Sequence, residues 1–176
     1  MNFNLKLINL NTSLEDDYED YDYDDDEKGP ALEIYGTDLT LLARQGQLEE
    51  CFGREAELLE MMEILVRRQK NNPVLVGDAG VGKTAIVELF ATKIVNNLVP
   101  FVLEGRSLVS LDLARIVAGS RYRGEFELRF QRVLDEVMAQ PNIIIFIDEI
   151  HNIGGTGSAE GSLDAANILI KKLKGI

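Results

Sequence analysis

Residues 74–84 read Val74-Leu75-Val76-Gly77-Asp78-Ala79-Gly80-Val81-Gly82-Lys83-Thr84, and this stretch decides the fold. An apolar run breaks at Gly77, and Ile86, Leu89, Phe90 and Ile94 then recur at helical spacing, so the reading is strand, tight loop, helix. Gly77 and Gly82 permit backbone angles that a Cβ would forbid. Consecutive N–H groups from Asp78, Ala79, Gly80 and Val81 can then point inward at an anion, beside the positive end of the helix. Lys83 is placed to reach the outer phosphates of a nucleotide, and Thr84 to set a hydroxyl on Mg²⁺. At roughly 7% Gly and similar Lys, the pattern arises by accident in about one such chain in a couple of hundred. A plain Gly-rich turn is the weaker reading.

Ile143-Ile144-Ile145-Phe146-Ile147 is apolar throughout and ends in Asp148-Glu149, as a buried parallel strand would deliver two carboxylates to its C-terminal edge. Ligands of open α/β sheets bind at that edge. Asp148 is the candidate holder of Mg²⁺, and Glu149 the candidate base that orients water for attack on the γ-phosphate. An Asp-Glu pair alone more often caps the next element. Downstream of a phosphate loop it points to hydrolysis of ATP held with Mg²⁺.

The 176 residues allow one domain with appendages. The composition, 45% hydrophobic and 27% charged, is that of a globular chain, and no apolar run nears the ~18 residues of a membrane helix. A formal charge of −12 argues against nucleic acid or an anionic membrane as partner. Residues 1–30 hold 2 basic and 10 acidic residues, leaving 16 basic and 20 acidic for the rest. The single Cys51 cannot close an internal disulfide, which fits a reducing compartment, and it reads as apolar filler.

Residues 1–12 alternate weakly (Phe3, Leu5, Leu7) and carry neither signal-peptide nor transit-peptide character. Glu15 to Glu27 is a nearly unbroken acidic run with Tyr18, Tyr21 and Tyr23. Such a run repels itself and buries nothing, so residues 1–30 are expected to be a disordered tail, with docking to a basic partner as the minor alternative. Residues 31–52 form a linker with a short helix capped by Thr37 or Asp38 and carrying Leu39, Leu41 and Leu42. Residues 53–176 are the nucleotide-binding domain. The spacing there predicts helices from about Arg54 to Gln69, from Lys83 to Val95 and from Phe126 to Met138, with a strand over Ser107–Leu111 and a helical turn over Leu113–Ala118. A Gly/Ser loop at 154–161 precedes a last helix through Leu173.

Phe52-Gly53-Arg54-Glu55, Arg67-Arg68 leading through Lys70-Asn71-Asn72-Pro73, and Ser110 to Leu113 carry a family likeness. So do Ala118 to Glu127, Phe146 to His151, and Ala159 to Asn167. With the phosphate loop they closely resemble the first ATPase domain of Clp-family AAA+ unfoldases, over about residues 32–170. Tyr35-Gly36-Thr37-Asp38-Leu39 looks like the segment ahead of that domain in C-type members, the partners of a proteolytic chamber.

The resemblance implies a hexameric ring that pulls substrate polypeptide through a channel. It implies that Tyr122, between Arg121 and Arg123, grips that polypeptide, that 154–161 is a second channel loop, and that Phe52 and Gly53 contact adenine. His151 reads as structural. The family's domain continues with a γ-phosphate sensor strand, an arginine finger and a helical lid, none of which this sequence matches. The expected fold is therefore a partial P-loop α/β domain, a parallel sheet with flanking helices and a slot between the phosphate-loop strand and the Asp148 strand. The expected role is one piece of a split unfoldase completed by a complementary Clp chain, and the alternative is a non-catalytic module on a full-length Clp ring. Little ATPase activity is expected of the chain alone. AT-rich residue usage suggests a plastid gene, and otherwise the cytoplasm.

Overall fold

The computed structural model describes residues 3–9, 29–78, 80–118 and 123–148. The expectations for the acidic run, for Tyr122, and for the loop and helix beyond Asp148 lie outside these residues.

The elements are β1 (Phe3–Asn9), α1 (Ala31–Tyr35), β2 (Gly36–Asp38), α2 (Leu39–Arg44), α3 (Glu55–Leu65), β3 (Val74–Gly77) and α4 (Lys83–Val95). They continue with a 3-10 turn (Phe101–Leu103), β4 (Ser107–Leu111), α5 (Leu113–Val117), α6 (Arg123–Met138) and β5 (Ile143–Ile147). One five-stranded sheet runs β2-β4-β5-β1-β3. Strands β4 and β5 are parallel, while β2 on β4 and β1 on both its neighbours are antiparallel, so the sheet is mixed rather than purely parallel.

Each face of the sheet carries its own core. Val109, Leu111, Ile143, Ile145 and Ile147 meet α1, α5 and α6; Leu108, Ile144 and Phe146 meet α2, α3 and α4. Helix α6 presents Phe130, Val133, Leu134 and Val137, all fully buried, at the spacing expected of one helical face. Phe126 stacks on Phe130 with ring centroids 5.9 Å apart. Burying each such side chain stabilises by about 1.5–3 kcal/mol before chain entropy is counted, so the sheet is clamped mainly at β4 and β5.

Polar contacts fix the parts that periodicity leaves open. Asp38 caps α2 by accepting from the Leu41 N–H at 2.9 Å, and it also accepts from the Thr40 hydroxyl. Thr40, fully buried, in turn accepts from the Leu108 N–H at 3.3 Å. The short helix α1 has no cap of its own; Glu136 on α6 accepts from the N–H groups of Ala31 at 2.6 Å and Leu32 at 2.9 Å. Gly36 is required by crowding and not by its φ, since a Cβ there would lie 2.5 Å from the Leu32 carbonyl and 2.7 Å from Val109. Arg106, 9% exposed, donates to the carbonyls of Val102 and Pro141, and its burial lowers the guanidinium pKa from its ordinary value.

Two expectations change. Residues 3–9, assigned to the tail by composition, form β1 and occupy the slot between β3 and β5, so the sheet has no gap there. Residues Phe3–Lys6 pair with Gly77–Val74, and Lys6–Asn9 with Ile147–Ile144. Accordingly Ile143 to Ile147 do not present accessible apolar flanks; none is more than 6% exposed. Exposed apolar side chains lie elsewhere, among them Val74 and Val76 on β3 at 45% and 58%, Phe52 at 79% and Phe101 at 85%.

Candidate nucleotide and metal site

Strands β3 and β5 run in the same direction, because each is antiparallel to β1, and both end at one edge of the sheet. There β3 becomes the phosphate loop and β5 delivers Asp148. Gly80 (φ 80°) and Gly82 (φ 88°) take the left-handed backbone that turns the loop back on itself, and Gly82 opens α4 as its N-cap. The four N–H groups at that helix start have no partner within the helix, so they and the dipole favour an anion.

The ammonium of Lys83 donates to the loop's own carbonyls, Gly77 at 3.0 Å and Asp78 at 2.8 Å. A cation is thereby held beside the loop, where a polyphosphate would compete with those carbonyls. Thr84 Oγ1 lies 3.4 Å from Asp148 Oδ2, bringing two oxygen donors together from α4 and from the end of β5. Two hard oxygens beside a phosphate loop suit Mg²⁺, which takes a hydroxyl, a carboxylate, waters and phosphate oxygens. The residues present therefore fit ATP with Mg²⁺. Among the described residues no group of three or more His, Cys, Asp or Glu side chains forms a protein-only metal cage.

Arg54, expected from the sequence at a helix start and within the family motif, also holds the loop. Its Nη2 donates to the Val81 carbonyl at 2.7 Å and its Nη1 to Glu57 at 2.7 Å, tying the phosphate loop to the start of α3. That hydrogen bond is the main cause holding the Glu57 carboxyl below its usual range. The Arg54/Glu57 spacing of three at a helix start was the available signal for the ion pair. Nothing local pointed to Val81, 27 residues away.

Gly77, Asp78, Gly80, Val81, Gly82, Lys83, Thr84 and Asp148 are thus gathered at one sheet edge. Gly53 (φ 75°) turns the chain into α3 next to Arg54, and Phe52 is 79% exposed. Ala79, Glu149, Tyr122 and His151 lie outside the described residues. Cys51 is half-buried. Among the described residues no helix is long and apolar enough to cross a membrane.

A strand, phosphate loop and helix facing an acidic strand end define a P-loop nucleotide-binding α/β protein. Residues 73–176 match the family model described as ATPase family associated with various cellular activities (AAA). The chain belongs to that AAA family, within its Clp/Hsp104 group. It is 57% identical over 145 residues to the chaperone protein ClpB of Aquifex aeolicus (strain VF5), covering 82% of this chain and 14% of the relative. It is 50% identical over 142 residues to the chloroplastic chaperone protein ClpC of Pisum sativum, covering 81% of this chain and 15% of the relative. An S. cerevisiae Hsp104-ADP complex superposes with a TM-score of 0.67 at 42% identity, covering 81% of this chain and 20% of that one. The chain therefore spans about a seventh of the length of these curated relatives.

Proposed function

We propose that this chain is the ATP-binding part of a Clp-type protein-unfolding ATPase. The observation that carries the reading is the approach of Thr84 Oγ1 to Asp148 Oδ2 at 3.4 Å beside a lysine already held over the loop. Backbone N–H groups of residues 77–82 bind the phosphates, and Lys83 transfers its donors from the Gly77 and Asp78 carbonyls to them. Thr84 and Asp148 hold Mg²⁺, which when bound neutralises charge developing on the transferred phosphate. Glu149, one residue past Asp148, orients the attacking water and takes its proton. Phe52 and Gly53 are proposed to pack near the adenine.

Beyond the site, the reading extends to a ring in which Tyr122 grips a substrate polypeptide. Complementary Clp chains or full-length Clp subunits are its proposed partners in that ring, and a proteolytic chamber is a further partner. A plastid location is supported by the resemblance to the chloroplastic pea protein. One observation favours the second reading, a regulatory nucleotide-binding module: β1 completes the sheet from within the chain.

Calorimetry with Mg-ATP tests the site. Wild type binds and Lys83→Ala loses binding; equal affinities would sink the assignment. In a complex reconstituted with a complementary chain, Glu149→Gln should keep ATP binding and lose phosphate release about 10²-fold or more. A complex that binds ATP but never turns it over, even as wild type, would favour the regulatory module.

A further inference from the structure

Helix α5 is five residues long, too short to hold its own shape in water, and each of its ends is fixed from outside the helix. At the N-terminus Asp112 accepts from the Arg115 N–H at 3.1 Å, and its own N–H donates to the Tyr35 carbonyl at 2.9 Å. At the C-terminus the backbone turns extended at Ala118 (ψ 128°), and a side chain from another element takes up the freed carbonyls. Arg129 on α6 donates through Nη1 to the Ala118 carbonyl at 2.9 Å and to the Ile116 carbonyl at 3.4 Å. Through Nη2 it donates to Glu125 Oε1 at 3.0 Å.

These acceptors stand on either side of residues 119–122. Ile116 and Ala118 precede that stretch, Glu125 follows it in the first turn of α6, and one guanidinium holds both flanks. An Arg four residues after a Glu is by itself an ordinary contact along a helix surface. Here the Arg129 side chain is only 17% exposed, and its planar fork turns a second nitrogen to backbone carbonyls, which the point charge of a lysine cannot copy. The same two segments are joined again at their far ends. Strand β4 leads into α5 and α6 leads into β5, and the two strands pair in parallel with Leu111 opposite Ile147, one residue before Asp148. The unit is thus closed by the sheet at one end and by Arg129 at the other.

We propose that Arg129 is a positioning residue for the 119–122 stretch, fixing the base from which Tyr122 meets a substrate polypeptide. The clamp needs only the hydrogen bonds of Arg129; that Tyr122 touches a polypeptide rests on the proposed function. An aromatic side chain binds an extended chain best when its base is set before the chain arrives, because ordering it on binding costs affinity. Loss of the clamp therefore weakens polypeptide binding and spares the nucleotide site, whose residues lie on β3, α4 and the end of β5.

The sequence has no tryptophan, so Tyr122→Trp places a single indole in the full chain. In that background Arg129→Gln should raise acrylamide quenching of the indole about twofold or more and lower its anisotropy. Arg129→Lys should recover melting temperature through Glu125 but not the indole signal, since an ammonium does not span the two flanks. Arg132→Gln, the same change on the same helix, removes contacts to Gly29 and Glu136; it should lower the melting temperature and leave the indole unchanged. With Tyr122 in place, binding of fluorescein-labelled casein in Mg-ATP should weaken about tenfold in Arg129→Gln while Mg-ATP affinity by calorimetry stays that of wild type. Tyr122→Ala should weaken casein binding too, and the double variant should be no worse than Tyr122→Ala alone. An indole signal indifferent to Arg129→Gln, or one that moves as far in Arg132→Gln, overturns the clamp. Casein affinity that falls in Tyr122→Ala but not in Arg129→Gln overturns the positioning role alone. Casein affinity indifferent to Tyr122→Ala, or no casein binding by wild type, overturns the gripping by Tyr122 and with it the use of the clamp.

Discussion

At the scale of single residues, Arg54 shows how a loop of glycines is given a fixed shape. One guanidinium joins the Val81 carbonyl to Glu57, so Arg54→Ala should weaken Mg-ATP binding by about 1 kcal/mol, roughly fivefold in Kd, while the protein stays folded. Titration calorimetry reads this directly, and unchanged affinity would show that the glycines suffice. Glu88 on α4 is a different case. Its carboxyl is pushed above the usual range, first by burial and then by Glu49. A raised carboxyl favours the protonated folded state. Its contribution is therefore fully present below the unfolded pKa and is lost as pH rises through the folded value. Glu88→Gln should raise the melting temperature at about pH 7 and leave it nearly unchanged at about pH 4. Equal shifts at both would put the cause in helix propensity. The phosphate loop and Asp148 were legible because their chemistry is written in contiguous residues. The reach of Arg54 was not, because its partner lies 27 residues away and is a carbonyl, which no residue type announces.

At the scale of elements, long periodic segments were readable and short ones were not. Helix α4 covers Lys83–Val95 as its spacing predicts, and α6 begins at Arg123, earlier than the Phe126 suggested by its apolar positions alone. Helix α1 and strand β2, five and three residues long, offer too few turns or alternations to show a period. Their place is dictated from outside, by the Glu136 carboxylate on the α1 N-terminus and by the close approach at Gly36. Glu136→Ala should therefore destabilise the protein by about 1–2 kcal/mol, more than an ordinary surface change, as measured by urea unfolding. Glu136→Gln should recover part of that loss, since the amide keeps one acceptor. A Gln variant as damaged as Ala would mean the charge, and not the hydrogen bond, seats α1.

At the scale of the whole molecule, the sheet is completed by a strand drawn from the first nine residues. The alternation of Phe3, Leu5 and Leu7 was visible in the sequence. Its partners were not, because β1 pairs with residues as distant as Ile147, and such long-range pairing leaves no local mark. The chain on its own should accordingly melt in one cooperative transition, where a gapped sheet would have left it sticky and partly ordered. Leu5→Pro, which deletes a ladder donor from a central strand, should cost about 3 kcal/mol and lower the melting temperature by about 10 °C. A variant that melts like wild type would show that β1 contributes nothing to the sheet. The register carries a practical corollary. Phe3 stands opposite Gly77, so anything fused ahead of residue 3 leaves the sheet at the mouth of the phosphate loop. A bulky purification handle at that end would crowd an arriving nucleotide and depress the measured affinity. A small environment-sensitive dye at the same place would brighten or dim as ATP enters, turning the head of the chain into a built-in sensor of its own site.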